Sequence, residues 1–153
     1  MSRMALLRYD EDVAFALADD AATVSAIVRR VGDERLRAVR FGEWSAVQVV
    51  AHLADVAEVF AERVRRCTEE DSPFLPPIAE GLVAPDRRDV MDLAKRLLGA
   101  HQRIVQLLAR PGAADRPAVH GEWGEVTAGH LAAYQAKHSR EHVAELAAAF
   151  PPA

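Results

Sequence analysis

Apolar residues recur along this chain at intervals of three and four, which is the spacing of one face of an α-helix. The pattern predicts four helical segments separated by glycine, proline and polar stretches. The first runs from Asp10 to Val31, and Gly32 ends it. Acidic residues at positions 10–12 favour its N-terminus through the helix dipole.

The second predicted helix has the clearest start signal. Ser45 is a good N-cap residue, and Gln48 stands three positions later, as in a capping box. The helix should continue to about Cys67. A long crossover follows, because proline is excluded from helix interiors, and the segment holds Pro73, Pro76, Pro77 and Pro85.

The last two helices complete the predicted architecture. The third is expected to start at Asp86 and to end at the break that begins with Arg110, and the fourth runs from a Thr127 cap to about Ala149. No segment shows the alternation that predicts a strand. The sequence therefore predicts an all-α four-helix bundle with a long Pro-rich crossover between helices 2 and 3, as one domain over residues 1–153.

Charge and cysteine content narrow the function classes. The 23 acidic and 19 basic residues nearly balance, which disfavours nucleic acid as a partner. The single cysteine, Cys67, excludes an internal disulfide and a cysteine-based zinc site, and we expect it to be a core residue rather than a nucleophile. The apolar run near the N-terminus is too short for a signal peptide, and no stretch is apolar enough to span a membrane. We therefore expect a cytoplasmic protein without membrane contact.

Two histidines in the fourth predicted helix indicate a metal site. His138 and His142 are four residues apart, so both rings project from one helix face. They share that face with Leu131, Tyr134 and Leu146, which points toward the core. Burying a polar ring without a partner costs on the order of 1–3 kcal/mol, and a metal ion removes that cost. Spacing alone leaves open the alternative that one or both rings face solvent or hydrogen-bond a neighbour.

His52 is the candidate third ligand. It lies at the edge of the apolar stripe of the second helix and gains significance only beside the pair on the fourth. Three neutral imidazoles leave a coordination position open, as in catalytic rather than structural sites. Asp55 and Glu145 each stand three residues from a proposed ligand and are candidates to orient the rings, although surface carboxylates are common on helices.

The other histidines yield one rival ligand. His101 is expected at the surface or at a helix end, and His120 precedes a loop. His130 is the rival, because Gly-Glu-Trp followed by His-Leu-Ala occurs at 42–54 and again at 121–132. This echo indicates an internal duplication or chance. Its tryptophans, Trp44 and Trp123, together with Tyr134, are candidates for a ligand pocket, while the alternative is that each tryptophan only packs on a helix start.

These residues together resemble a known family. Trp44-Ser45, His52-Leu53-Ala54-Asp55, Gly124-Glu125-Val126-Thr127, and the run from Tyr134 through His138 to His142 are similar in order and separation to motifs of the DinB/YfiT-like superfamily. The resemblance implies a four-helix bundle, often homodimeric, whose three histidines bind one divalent ion such as nickel or zinc. It assigns the ligands to His52, His138 and His142, and it argues against His130.

The resemblance also implies alternative activities. Some relatives are S-transferases or isomerases that use a low-molecular-weight thiol, namely mycothiol, bacillithiol or glutathione. The first hypothesis is thus a metal-dependent thiol S-transferase acting on a small-molecule electrophile. The second is a metal-dependent hydrolase, and the third is a stress-related metal-binding bundle without turnover.

Overall fold

Four long helices form the body of the structure, a computed structural model that describes residues 5–78 and 88–152. Within those ranges the helices, in chain order, are α1 (Glu11–Val31), the six-residue α2 (Asp33–Ala38), α3 (Ala46–Glu69), α4 (Val90–Leu108) and α5 (Ala128–Ala149). The long helices contain 19 to 24 residues. The predicted four-helix bundle is confirmed, with α2 as an addition that the periodicity did not indicate.

Side-chain caps set the helix starts where the sequence predicted them. The Asp10 carboxylate accepts a hydrogen bond from the backbone N–H of Val13, at 2.9 Å, at the start of α1. Ser45 and Gln48 form both bonds of the capping box before α3. The Thr127 hydroxyl caps α5 by accepting a hydrogen bond from the backbone N–H of His130. These caps fix where α3 and α5 begin, and hence where their histidines lie.

The start of α4 differs from the prediction. Asp86 lies outside the described residues, and the next described positions, Arg88 and Asp89, are not helical. Asp89 has an extended backbone, and its carboxylate accepts a hydrogen bond from the N–H of Met91, at 2.8 Å. The helix therefore begins at Val90, because Asp89 is the residue that satisfies a free N–H of the first turn.

The expectation that the chain has no strand was wrong. β1 (Arg40–Phe41) and β2 (Trp44–Ser45) form an antiparallel hairpin that leads into α3. β3 (Phe74–Leu75) pairs in parallel with β4 (Pro117–His120), which pairs antiparallel with β5 (Gly124–Thr127) ahead of α5. Strands of two to four residues are too short to show alternation in a sequence.

The long helices pack in a ring that brings the predicted ligands together. α1 and α3 each pack against both α4 and α5, and the apolar stripes meet in a core that includes Leu17, Val24, Leu53, Leu97 and Leu131. Consequently α3, with His52, lies beside α5, with the other two candidate ligands. No helix in the described part of the chain is long and apolar enough to cross a membrane.

Candidate metal centre

The three histidines predicted as ligands converge between α3 and α5. One ring nitrogen from each of His52, His138 and His142 lies within 4.8 Å of the others. The Nε2 atoms of His52 and His138 are 3.2 Å apart. The three ring centroids are separated by 4.8 to 5.2 Å, and the rings meet nearly edge to face. The geometry thus groups three lone-pair donors around one point.

Burial keeps two of these rings neutral near pH 7. Desolvation lowers the pKa of His138 to about 4, with further lowering from the neighbouring His142 and His52. Desolvation and the charge of His142 also lower the pKa of His52, while Asp55 opposes that shift. A metal ion requires the neutral imidazole, so His52 and His138 are in the protonation state that a metal ligand needs.

The nitrogen atoms of the cluster fit a shared cation better than they fit one another. The Nδ1 atom of each of the three rings is buried and has no hydrogen-bond partner among the described residues. A hydrogen bond between the Nε2 atoms of His52 and His138 would account for only two of the rings. A divalent ion would engage one lone pair on all three, and three nitrogen ligands match the preference of zinc and nickel.

The two carboxylates predicted to orient the rings make no hydrogen bond to them. Asp55 makes two hydrogen bonds to Arg88, both 2.8 Å, and none to His52. The guanidinium matches the two carboxylate oxygens, which explains why this pair forms instead. A Glu145 oxygen lies 4.0 Å from Nδ1 of His142, which is beyond hydrogen-bond range. Packing rather than carboxylates therefore orients these rings, and the Trp44 ring contacts His52 at 5.0 Å between centroids.

A small cavity opens beside one of the proposed ligands. Its volume is about 180 Å³, and the described residues that line it are Tyr134, Lys137, His138 and Glu141, all on α5. The Tyr134 ring is fixed by stacking on Phe60, at 5.8 Å between centroids and 17° between planes. A larger cavity, of about 480 Å³, lies between α3 and α4 and contains no histidine among its described lining residues. Of these two cavities, the smaller one borders the cluster, through His138.

The two tryptophans differ in their relation to the cluster. Trp44 contacts the proposed ligand His52 directly. Trp123 stacks on His120, with 4.2 Å between ring centroids, and reaches the cavity only through Tyr134, at 4.6 Å. Of the predicted pocket residues, Tyr134 lines the cavity and the tryptophans support its surroundings.

His130, the rival ligand, is a structural residue. It lies outside the three-histidine group. Its Nδ1 accepts a hydrogen bond from the backbone N–H of Leu7 at 2.9 Å, and its backbone N–H donates to the Thr127 hydroxyl, while its buried Nε2 has no partner among the described residues. This is the third position of α5, which corresponds to Gln48 in the α3 cap rather than to His52. The two echoed motifs therefore do not superpose when their helix caps are aligned.

The expectation for His101 was wrong. It is fully buried in the middle of α4, with no exposed surface. Its Nδ1 donates to the carbonyl oxygen of Leu17 at 2.7 Å, and its Nε2 accepts from the Gln135 amide at 3.0 Å. The sequence did carry a signal, because His101 lies four residues after Leu97 and three before Ile104 on the apolar stripe. The polar neighbours Gln102 and Arg103 obscured it.

Two further polar residues have fixed roles in the fold. His120 is buried, and its Nδ1 accepts hydrogen bonds from the backbone N–H groups of Glu122 and Trp123 in the hairpin turn. Cys67 is buried with no exposed surface, and desolvation raises the pKa of its thiol to about 11. It is therefore protonated and unreactive at neutral pH, as predicted for a core residue.

Comparison with known proteins agrees with the fold and finds relatives that are named as metal-dependent. The sequence model of the DinB superfamily matches residues 16–146. A protein of Oceanobacillus iheyensis named "Putative metal-dependent hydrolase" is 28% identical over 125 residues, covering 78% of this chain and 72% of that protein. YfiT from Bacillus subtilis, described as "a probable metal-dependent hydrolase with an unusual four-helix bundle topology", has the same fold with a TM-score of 0.75, at 22% identity, over 97% of this chain and 92% of YfiT. Since the family match spans most of the chain, this protein belongs to the DinB superfamily.

Proposed function

We propose that this protein is a metal-dependent hydrolase in which His52, His138 and His142 hold one divalent ion, with zinc or nickel as the metal. The observation that carries the proposal is the convergence of one ring nitrogen from each of three imidazoles, all within 4.8 Å of one another. The names of the two relatives support hydrolysis over other reactions.

The residues of the chain define what the site can do. Three neutral ligands add no negative charge, so a bound divalent ion would retain its charge and would lower the pKa of a water molecule or thiol at its open position. The half-buried rings restrict solvent, which strengthens electrostatic interactions within the site. The cavity beside His138 admits a substrate from the α5 side.

A thiol S-transferase is the second candidate, because the same open position accepts a thiol. The chain itself supplies no reactive thiol, since Cys67 is buried and protonated. The thiol would have to come from a cosubstrate such as mycothiol, bacillithiol or glutathione. Transfer would then form a new carbon–sulfur bond and release the leaving group of the electrophile, with the thiol proton going to solvent.

One screen separates these activities. Protein purified without a histidine tag is loaded with zinc or nickel and assayed on ester and amide substrates, and on a chromogenic electrophile with each thiol. We expect ester or amide hydrolysis that needs no thiol and disappears in the metal-free protein. Turnover only with a thiol would favour the S-transferase. Equal rates with and without metal would reject both, and no turnover on any substrate would favour a metal-binding bundle without catalysis.

The predicted homodimer is also part of the proposal, and its support is the family resemblance. Light scattering on the purified chain tests it against the monomer mass of 16.7 kDa. A mass near twice that value is expected, and a mass equal to it would remove the dimer from the proposal.

A further inference from the structure

The cavity beside His138 has the size of a small polar fragment. Its volume of about 180 Å³ is below the roughly 300–1,000 Å³ of pockets that enclose drug-sized ligands. Its described walls combine the Tyr134 ring with one cationic and one anionic side chain, Lys137 and Glu141. The chemistry of these walls therefore suits a small charged group held next to the metal centre.

The two charged walls do not pair with each other. Lys137 and Glu141 are four residues apart on α5, where opposite charges usually meet. Pairs with the same spacing do close elsewhere in this protein, on α2, α3 and α4: Arg37 with Asp33, Arg65 with Glu69, Arg66 with Glu70 and Arg96 with Asp92. In the described parts of the chain, the side chains of Lys137 and Glu141 make no ion pair and no hydrogen bond. Both charges remain available on the cavity wall.

We infer that Lys137 and Glu141 recognise a zwitterionic substrate of the amino-acid or short-peptide class, with Lys137 binding its carboxylate and Glu141 its ammonium group. An ammonium and a carboxylate on one small molecule match the two unpaired walls, and His138 on the same wall places the ligand beside the metal centre. This inference rests on the proposed function for the bond to be broken. An amide bond of the ligand would be cleaved by water, giving a free carboxylic acid and a free amine.

Binding of four related probes to the zinc-loaded protein tests the inference independently of turnover. The probes are alanyl-alanine, its N-acetyl form, its C-terminal amide, and the form blocked at both ends. Calorimetry should show that the zwitterion binds at least about tenfold tighter than the doubly blocked form, since hydrogen bonds between charged groups are worth more than about 1.4 kcal/mol. Equal affinity for all four probes, or no binding of the zwitterion, would overturn the inference.

Two substitutions assign each charge to its wall. Lys137→Gln should cancel the advantage of a free carboxylate and keep that of the ammonium group, and Glu141→Gln should do the reverse. Lys95→Gln on α4 and Glu34→Gln on α2 are matched controls, both exposed and away from the cavity, and should change neither preference. A carboxylate advantage that persists in Lys137→Gln would show that the metal alone binds it, against the inference.

The hydrolase proposal and this inference fail in different ways. If the protein shows the charge preference but cleaves no probe and no ester or amide substrate, the recognition stands and the hydrolase is lost. If it hydrolyses neutral substrates while binding all four probes equally, the hydrolase stands and the recognition of a zwitterion is wrong.

Discussion

The two sides of α5 treat buried polar groups differently. Toward α1 and α4, α5 presents Gln135 and Ser139, both fully buried and both hydrogen-bonded to other helices. Toward α3 it presents His138 and His142, whose buried Nδ1 atoms have no protein partner in the ranges that the structure describes. The same helix thus carries side chains bonded to α1 and α4 on one side, where the Oε1 atom of Gln135 still has no partner among the described residues, and an incomplete side toward α3.

The side of α5 that faces α1 and α4 shows what a structural histidine looks like in this fold. Both nitrogens of His101 have partners, on Leu17 and Gln135, and these bonds define a single tautomer with the proton on Nδ1. One turn along α5, the Ser139 hydroxyl donates to the buried Asp20 carboxylate at 2.7 Å. Because many neighbouring α5 core residues are alanines, these directional bonds are well suited to fix the rotation of the helix.

The incomplete side lacks such a partner set. His52, His138 and His142 contact one another, and desolvation lowers the pKa of the first two, opposed only by Asp55 at His52. Buried polar groups are normally hydrogen-bonded in native proteins. The contrast with His101 therefore identifies the three-histidine cluster as a place where an external ligand completes the coordination.

The largest loss of stability is expected for the substitution of His101, which lies on the side of α5 that faces α1 and α4. His101→Ala should lower the free energy of unfolding of the metal-free protein by about 3 kcal/mol, since it leaves a cavity and removes both bonds of a buried ring. His138→Ala should cost less than about 1 kcal/mol in the same protein, because the desolvated ring that is lost has an unpartnered Nδ1 and bonds only to His52. Urea unfolding measures both. Equal losses would remove the contrast between the two sides.

Bound zinc should make His138 contribute more to stability than it does in the metal-free protein. Zinc at one hundred times its dissociation constant should raise the free energy of unfolding by about 2.7 kcal/mol, because it binds the folded chain. Thermal unfolding with and without zinc would show this in the wild type and in His101→Gln, which keeps a buried polar group. His138→Ala should show at most about half of that shift, because a tenfold loss of affinity leaves about 1.4 kcal/mol at the same zinc concentration, and a full shift in that variant would exclude His138 as a ligand.

Loss of the bond between Ser139 and Asp20 should have an intermediate effect. Burial raises the pKa of Asp20, while the Ser139 hydroxyl and Arg140 oppose that shift. Ser139→Ala should therefore destabilise the protein at pH 7 by about 1–3 kcal/mol, since a buried carboxylate loses its closest partner. Ser25→Ala on α1 is the matched control and should cost less than about 0.5 kcal/mol. A result for Ser139→Ala no larger than the control would contradict this account.

The stability of the metal-free protein should also depend on pH. Burial lowers the pKa of His101 and of His138 below the ordinary value of 6.5, so the unfolded chain binds protons more readily. Stability of the metal-free protein should therefore fall as the pH drops below 6.5. Unfolding curves at pH 7 and pH 5 measure the loss, which should be smaller in a His138→Ala variant. An unchanged pH dependence in that variant would contradict a neutral, desolvated His138.

The sequence predicted the long helices better than their connections. Local caps such as Ser45 with Gln48 and Thr127 are written in adjacent residues, and each began its helix where predicted. The strands were missed because they contain at most four residues, and β3 in addition pairs with a strand that is distant in the sequence. The start of α4 was placed at Asp86, whereas Asp89 caps the helix and Val90 begins it.

The candidate site was predictable where spacing within one helix suffices. His138 and His142 share a face because they are four residues apart, whereas His52 joins them only through packing of α3 against α5. Its assignment came from the family resemblance. Asp55 was expected near a ring, and its pairing with Arg88 could not be foreseen, because Arg88 comes from beyond the crossover. Hydrogen-bond partners that are distant in sequence leave no local signal.

Metal stoichiometry in histidine variants tests the central claim most directly. Zinc bound per chain after equilibrium dialysis is measured in the untagged wild type and in the His52→Ala, His138→Ala and His130→Ala variants, with circular dichroism to verify folding. We expect one zinc ion per chain in the wild type and in His130→Ala, and a loss of at least about tenfold in affinity in the other two. Unchanged binding in His138→Ala and His52→Ala would contradict the three-histidine metal centre.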